Sequence, residues 1–407
     1  MDVLLVDLIL GDHSVPFASN IKKELERKGG VSNVDFLTLE PDDRLDNYFD
    51  SIEDVYFLEG YNGAGYNDPV VNSFSKMVDF IQQRSYTVVH LLQVDNLLVE
   101  SAIVLPDVSR LPPIVAQING AFFGGNQNKQ RPLVNKYTNR LLASPLNQAV
   151  ETGLVWNKSS ALVGDICLYR CIHGDVFDQI LVHTSAAKEY VLDLCECTTP
   201  ITVVPEPSTV EPPGFSQEYA RQRIGLDPTE TVLLFFGGLR KEKGIYQLLE
   251  SLQLYNGPKF TLLIAGPEAS ATQKEIREIE KSIDPTLSLN IRYIYDSEQY
   301  FIASDGVLCP YLDEFGEERT SHVFQEALRL RRPVICPAFG SFESRLNSYN
   351  LGVLYSPNTA EGLNRAIQRF VENPEQWYST EDMFRFYKKH SFENLCSKLL
   401  EVYRGIS

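Results

Sequence analysis

The amino-acid sequence predicts an α/β protein of two doubly wound domains, and three observations predict it. Short apolar runs alternate with amphipathic stretches along the whole chain, the pattern of βαβ units around parallel sheets. At 407 residues the chain exceeds one ordinary core, so two domains are expected. Between the halves, residues 200–215 (PITVVPEPSTVEPPGF) hold five prolines and no helical periodicity, which marks an interdomain linker.

In the first half the strands read as DVLLVDLIL, VDFLTL, TVVHLLQV, PIVAQI and QILVHT. ASNIKKELERKGG and SAAKEYVLDLCE are amphipathic helices between and after them. The strands run into polar or glycine-bearing turns such as Gly11-Asp12-His13, Gln93-Val94-Asp95 and Asn119-Gly120. Those carboxyl ends are where open parallel sheets bind ligands. The second series is TVLLFFGGL, KFTLLIAGP, SLNIRYIY, ASDGVLCPY, PVICPA and GVLYS, separated by helices such as KGIYQLLESL and SHVFQEALRL. The domains are therefore placed at 1–205 and 206–385, with a C-terminal helix over 386–407 that contains the amphipathic FENLCSKLLEVYRG.

With 43% hydrophobic and 22% charged residues the composition is globular, without a disordered or low-complexity tract. The net charge of −17 counts against nucleic acid, and against strong attachment to an anionic membrane. The first 205 residues carry most of it, with 15 Lys/Arg against 26 Asp/Glu. Seven cysteines without a CxxC pair or a matching His cluster are expected to be buried free thiols of a reducing compartment, not a disulfide frame or a zinc site. MDVLLVDLIL holds Asp2 and Asp7 and no basic segment, so it reads as a first strand and not a signal peptide. No apolar run reaches the ~18 residues of a membrane span. A cytoplasmic location is expected.

The P-loop, HExxH and GxSxG signatures are missing, as is an Asp-x-Asp motif, so no metal site is expected. EGYNGAGYN (59–67) is rich in glycine but does not fit GxGxxG, and it reads as a flexible surface or acceptor-side loop rather than a phosphate cradle. LLFFGGLRKEKGIYQLLESL is more informative. A buried strand ends at Gly237-Gly238, and Arg240, Lys241 and Lys243 precede a helix. Glycines admit a ligand close to backbone and the cations could meet a pyrophosphate, although from this block alone a solvated basic turn is the first reading. In EERTSHVFQEALRLRRPVI, Glu318 and Glu326 stand eight positions apart. On one ideal helix that is about 12 Å, too far for a two-carboxylate glycosidase pair. The span suits a ligand of three parts: a pyrophosphate on the amides near Thr320, Ser321 and His322, ribose hydroxyls at Glu326, and a sugar at Glu318. The bland readings are an acidic residue near a positive helix end for Glu318 and a solvated helix position for Glu326.

On these residues the second half resembles the GT-B glycosyltransferases, in particular the retaining group with a Glu-x7-Glu motif (glycosyltransferase family 4-like). Four blocks resemble it in order: LLFFGGLRKEKGIYQLLESL, FTLLIAGPE, ASDGVLCPYLDEFGEERTSHVFQEALRLRRPVI and GVLYSPNTAEGLNRAIQRFVENPEQW. The resemblance covers residues 180–380, and the first 180 match only in α/β layout. It implies two Rossmann-like domains facing across a cleft, the first on the acceptor side and the second holding the nucleotide sugar, with the C-terminal helix crossing back to the first. It implies that Glu318 contacts the donor sugar and that Thr320, Ser321 and His322 offer amides to the phosphates. Glu326 would bind ribose, and Lys243 would neutralise the leaving diphosphate. Gly266 would let the nucleotide approach, and the base would pack near Tyr293–Tyr295.

The sequence departs from that pattern at three positions. Gly238 stands where the family has Arg, with Arg240 a substitute for that charge. Ser321 replaces a glycine, and Asn119 stands where many members place a His. The acceptor-side candidates are His13, His90 and Asn119. The activity implied is retaining transfer of a hexose from a UDP-sugar to a hydroxyl of a glycan, lipid-linked or small-molecule acceptor, with no metal or other cofactor, in the setting of polysaccharide or glycoconjugate biosynthesis. The alternatives are a sugar-nucleotide 2-epimerase on the same fold and a non-catalytic sugar-nucleotide-binding protein.

Overall fold

The structure, a computed structural model, describes residues 1–8, 14–40, 49, 52–58, 71–120, 161–194, 198–207, 214–294 and 296–407. The chain divides into two compact units. The first comprises Met1–Glu206, Glu318–Thr320 and Phe392–Ser407, the second Pro207–Glu317 and Ser321–Ser391.

The first unit is built on seven parallel strands: β1 (Asp2–Asp7), β2 (Asn33–Leu39), β3 (Val55–Leu58), β4 (Val88–Leu91), β5 (Ile114–Ile118), β6 (Gln179–Val182) and β7 (Ile201–Val203). Their order is β3-β2-β1-β4-β5-β6-β7. Alternation within the strands feeds two apolar layers. Leu4, Val6, Val89 and Leu91 enter one layer, and Val3, Leu5, Val88 and Val115 the other. The first layer is covered by α2 (Val71–Gln82), α3 (Leu98–Val104), α4 (Ala161–His173) and α5 (Ser185–Leu194). The second is covered by α1 (Ser14–Lys28) and by the last helix of the chain, Phe392–Ile406, whose Phe392, Leu395, Cys396, Leu399, Leu400 and Tyr403 are buried there.

The second unit has six parallel strands: β8 (Val232–Phe236), β9 (Thr261–Ala265), β10 (Thr286–Asn290), β11 (Gly306–Leu308), β12 (Val334–Pro337) and β13 (Gly352–Tyr355). Their order is β10-β9-β8-β11-β12-β13. One face carries α6 (Gln217–Ile224), α9 (Glu298–Ala303), α10 (His322–Arg329) and α13 (Thr380–Lys389). The other carries α7 (Ile245–Gln253), α8 (Gln273–Glu280) and α12 (Ala360–Glu372). Between β12 and β13 runs α11 (Gly340–Ser348), and the last helix is α14 (Phe392–Ile406). The helix starts are capped locally. Ser216, Thr272, Ser321, Thr359 and Ser379 each accept a first-turn amide with their hydroxyl.

The fold class is the expected one, two Rossmann-like parallel sheets, and several elements differ from the sequence reading. Ile201–Val203 of the expected linker is a strand, pairing in register with Ile180–Val182, because its Ile-Thr-Val triplet precedes the prolines. The strand VYFL (55–58) was hidden by its acidic approach. SLNIRYIY ends as a strand at Asn290. Residues 386–407 are not one helix: α13 ends at Lys389 and α14 begins at Phe392. Cys167, Cys171, Cys309, Cys336 and Cys396 are buried free thiols. Among the described residues no helix is long and apolar enough to cross a membrane, and no His/Cys/Asp/Glu group is arranged to hold a metal. EGYNGAGYN, Tyr295 and His13 lie outside the described residues.

Candidate functional site

Strand order locates the candidate site in each sheet. A doubly wound sheet binds ligands at the carboxyl ends beside the point where strand order reverses. In the first sheet that point lies between β1 and β4, and in the second between β8 and β11.

In the second unit, Gly237 follows β8 with φ +96° and Gly266 follows β9 with φ +146°. A Cβ on Gly266 would overlap the Gly237 carbonyl, so only glycine lets the two strand ends lie this close. A Cβ on Gly237 would meet Lys243 Nζ at 2.6 Å and Val323 Cγ2 at 4.0 Å. The ammonium of Lys243 therefore lies against bare backbone at the switch point, with the first turn of α10 beside it. The fully buried Cys309, next in the chain after β11, is pushed up to about 12 by burial, which the Lys243 charge partly opposes. Its thiol stays protonated at neutral pH and offers no nucleophile.

At the start of α10, Ser321 is 3% exposed. It is the N-cap, accepting from Phe324 N at 3.2 Å and sharing a hydrogen bond of 2.9 Å with Tyr311 Oη. Its hydroxyl is thus used in capping the helix, whereas the expectation for Ser321 concerns its backbone amide. The helix begins at His322, so its first-turn N–H groups are those of His322, Val323 and Phe324, and Val323 was missed from sequence. Glu326 is 7% exposed and therefore not a solvated helix residue. Both its oxygens are held by Arg329, Nε to Oε2 at 2.9 Å and Nη2 to Oε1. Arg329 also donates to Glu298 Oε1 at 2.5 Å. Burial opposes the Arg329 charge, but the two carboxylates outweigh it and hold its pKa above the ordinary value.

Other expected donor residues are dispersed. Gly238 follows Gly237 without positive φ, and Arg240 is exposed with only a loose ion pair to Glu242 at 3.9 Å. Tyr293, between β10 and α9, is 49% exposed. Glu318 and Thr320 group with the first unit, so of the two glutamates only Glu326 belongs to the second. A cavity of about 440 Å³ lined by Arg221, Asp305, Arg332 and Tyr378 lies at the opposite, amino-terminal edge of the second sheet. The strand-end rule argues against placing the donor there. A smaller one of about 270 Å³, lined by Asp313, Phe339, Tyr355 and Asn358, lies past the carboxyl ends of β12 and β13.

In the first unit the strand ends hold a different arrangement. Gln93 Nε2 donates to Asp7 Oδ2 at 2.8 Å across the switch point. Asn119 donates its backbone N–H to Asp95 Oδ1 at 3.0 Å and its amide Nδ2 to Leu92 O at 3.2 Å. Its Oδ1 accepts from Gln117 Nε2 at 2.9 Å and faces His183 Nε2 at 3.0 Å. The acceptor role of that oxygen places a proton on Nε2 of His183. His183 was missed, although it stands just past β6 where the strand-end rule directs attention. His90 is corrected: it is fully buried within β4, its Nδ1 2.7 Å from Tyr403 Oη of α14, and burial drives its pKa down to about 3. It is a neutral core residue and no candidate for the acceptor side.

Comparison with known proteins places these features. Residues 216–389 match the sequence model of the family described as Glycosyl transferases group 1, so the second unit carries that family's pattern. TuaC of Bacillus subtilis (strain 168), a glycosyltransferase assigned by name to teichuronic acid biosynthesis, is 29% identical over 163 residues, 40% of this chain and 38% of TuaC. The D-inositol 3-phosphate glycosyltransferase of Rhodococcus jostii (strain RHA1) is 26% identical over 197 residues, 46% of this chain and 42% of that protein. The matched stretch thus spans less than half the length of either relative.

Similarity to solved structures extends over the whole chain. Sucrose-phosphate synthase of Thermosynechococcus elongatus superposes with a TM-score of 0.65 at 18% identity, covering 99% of this chain and 98% of that one. HepE of Anabaena, solved in complex with UDP-glucose, gives 0.68 at 13% identity over 100% of both chains. At these identities the likeness concerns the fold, the pair of Rossmann-like domains shared with GT-B glycosyltransferases.

Proposed function

We propose that the protein is a retaining glycosyltransferase that moves a hexose from a UDP-sugar to an acceptor hydroxyl in polysaccharide or glycoconjugate biosynthesis. The observation that carries the reading is the second sheet's switch point, where Lys243 lies against Gly237 beside the first turn of α10. A cation and a helix N-terminus converging on half-buried glycine backbone suit a diphosphate, within the region that matches Glycosyl transferases group 1. The UDP-glucose complex of HepE supports the donor, and the name of TuaC supports the biosynthetic setting.

On this reading Lys243, with Arg240 and the α10 amides, stabilises the diphosphate as the glycosidic bond to the donor sugar breaks. That field does the work a divalent ion does in other transferases, so transfer needs no metal and survives EDTA. Glu326 accepts hydrogen bonds from the ribose, Tyr293 lies toward the base, and Glu318 and Thr320 serve the donor sugar and its phosphate. Asn119 orders the acceptor-side strand ends. The acceptor is a glycan, a lipid-linked sugar or a small molecule.

The test is incubation with UDP-glucose and measurement of UDP release with and without candidate acceptors. Acceptor-stimulated release is expected. Binding without turnover across nucleotide sugars overturns the transferase reading and leaves a binding protein. Epimerised UDP-sugar in place of UDP overturns it in favour of an epimerase. Within the site, Glu326→Ala weakens UDP binding, whereas Glu318→Ala leaves UDP binding near wild type and depresses transfer. Equal loss of UDP affinity in both contradicts the division of roles.

A further inference from the structure

A buried charged triad in the second unit goes beyond the donor contacts assigned above. Arg329 is 2% exposed at its side chain and bridges two carboxylates, Glu326 on its own helix and Glu298 at the start of α9. Its Nε and Nη2 hold both oxygens of Glu326, and Nη2 also reaches Glu298 Oε1 at 2.5 Å. The chain entering α9 is the segment that contains Tyr293. We propose that Arg329, anchored by Glu298, is a positioning residue that fixes the Glu326 carboxylate for two adjacent ribose hydroxyls and couples that contact to the segment meeting the base. The inference rests on the donor reading of this same site and adds the residue that sets its selectivity for a ribose diol.

Three arguments support it. First, an ionised carboxylate has about four acceptor positions, and the two bonds from Arg329 occupy two of them. One lone pair on each oxygen remains, and a vicinal diol presents two O–H donors. Second, the two bonds lock the plane of the carboxylate, because the guanidinium is a rigid fork. A free Glu side chain would lose rotamer freedom on binding, whereas this one is already held. Third, Arg329 is the counter-charge beside a carboxylate that is only 7% exposed. Without Arg329 a carboxylate buried to this degree would be left without its partner, a costly arrangement that the helix relieves only by moving the side chain out of position.

A triad that merely joined α9 to α10 would affect folding but not the choice between ribose and its deoxy analogue, and this separates the two roles. The experiment measures calorimetric binding of UDP and of 2′,3′-dideoxy-UDP, with melting temperature recorded for each variant. Wild-type protein is expected to bind UDP at least about tenfold more tightly than the dideoxy analogue, since a site built to pair hydroxyls rejects a ligand without them. Arg329→Lys keeps the charge but loses the fork, and should cut that ratio about threefold or more. Arg329→Gln should bring it close to unity. Should the Arg329 variants fail to fold, Glu298→Gln carries the test, because Glu298 is 35% exposed at its side chain and its loss releases one end of the guanidinium. There the ratio should fall about twofold.

A wild-type ratio retained in any folded Arg329 variant, or in Glu298→Gln, overturns the positioning role while leaving the donor reading intact, even where the melting temperature drops. Wild-type protein that binds both ligands equally overturns the ribose assignment of Glu326 and the positioning role with it. Failure of wild-type protein to bind UDP overturns the donor reading itself.

Discussion

At the strand ends of the first sheet polar side chains satisfy one another, and at the switch point of the second sheet glycine backbone meets a lysine. Asp7 receives Gln93, and Asn119 gathers Gln117, His183, Asp95 and Leu92 O into one network. In the second sheet Gly237 and Gly266 strip the strand ends to backbone, and Lys243 lies over that surface. The same topology thus serves two ends. One set of strand termini ties its polar side chains into a hydrogen-bonded network, and the other brings glycine backbone and a lysine together. The family match follows that division, beginning at residue 216 in the second unit.

Four experiments break or sharpen the contrast, in falling order of expected effect. Removing residues 392–407 takes six buried side chains from the first unit, each worth about 1.5–3 kcal/mol, a total comparable with the whole stability of a domain. Loss of a cooperative melt for the first unit is expected in calorimetry, with the second unit's transition kept; a shared collapse of both breaks the picture of separate units. On the proposed reading Lys243 acts on a departing charge, so Lys243→Ala should lower transfer from UDP-glucose by about 10²–10³-fold with little change in melting temperature. Asn119→Ala should do the reverse. It orphans several buried groups and costs about 1–3 kcal/mol in chemical denaturation, with UDP affinity unchanged. Were Lys243→Ala to destabilise and Asn119→Ala to leave stability untouched, the contrast would be inverted.

The smallest effect is on acid sensitivity. Burial holds His90 near 3, below its ordinary 6.5, so the unfolded chain takes up a proton in that window and the folded one does not. The stability that neutral His90 contributes is whole above pH 6.5 and lost progressively as pH falls toward 3, at up to about 1.4 kcal/mol per pH unit. His90→Leu should flatten the fall in melting temperature between pH 6.5 and 4.5, and an unchanged slope would place the acid sensitivity elsewhere.

What could be read from the sequence followed from local physics. Continuous apolar runs such as VLLFF and TLLIA give buried parallel strands whatever surrounds them, and the strand order then fixes where ligands approach. Misreadings arose where a local signal was outvoted. The triplet Ile201–Val203 is a strand although the neighbouring prolines read as linker, because β6 supplies its partner. His90 resembled a functional strand-end histidine, and only the packing of Tyr403, more than 300 positions away, shows it to be core. Arg329 was available through its i,i+3 spacing to Glu326, but its second partner Glu298 is visible only in three dimensions. Residue types and spacings are what single out a candidate site in the second unit. The first unit's strand ends are a network of long-range bonds, and no local pattern announces those.

The helix α14 has a consequence for how the protein is made. It completes a layer of the first unit, yet in chain order it follows the whole of the second. A ribosome therefore releases Val3, Leu5 and the rest of that layer long before Leu395 and Tyr403 exist to cover them. The second unit can close its core while the first still waits with one face covered only by α1. The early-made half is the late-folding half, and for that interval its apolar face depends on chaperones or on speed to stay out of aggregates.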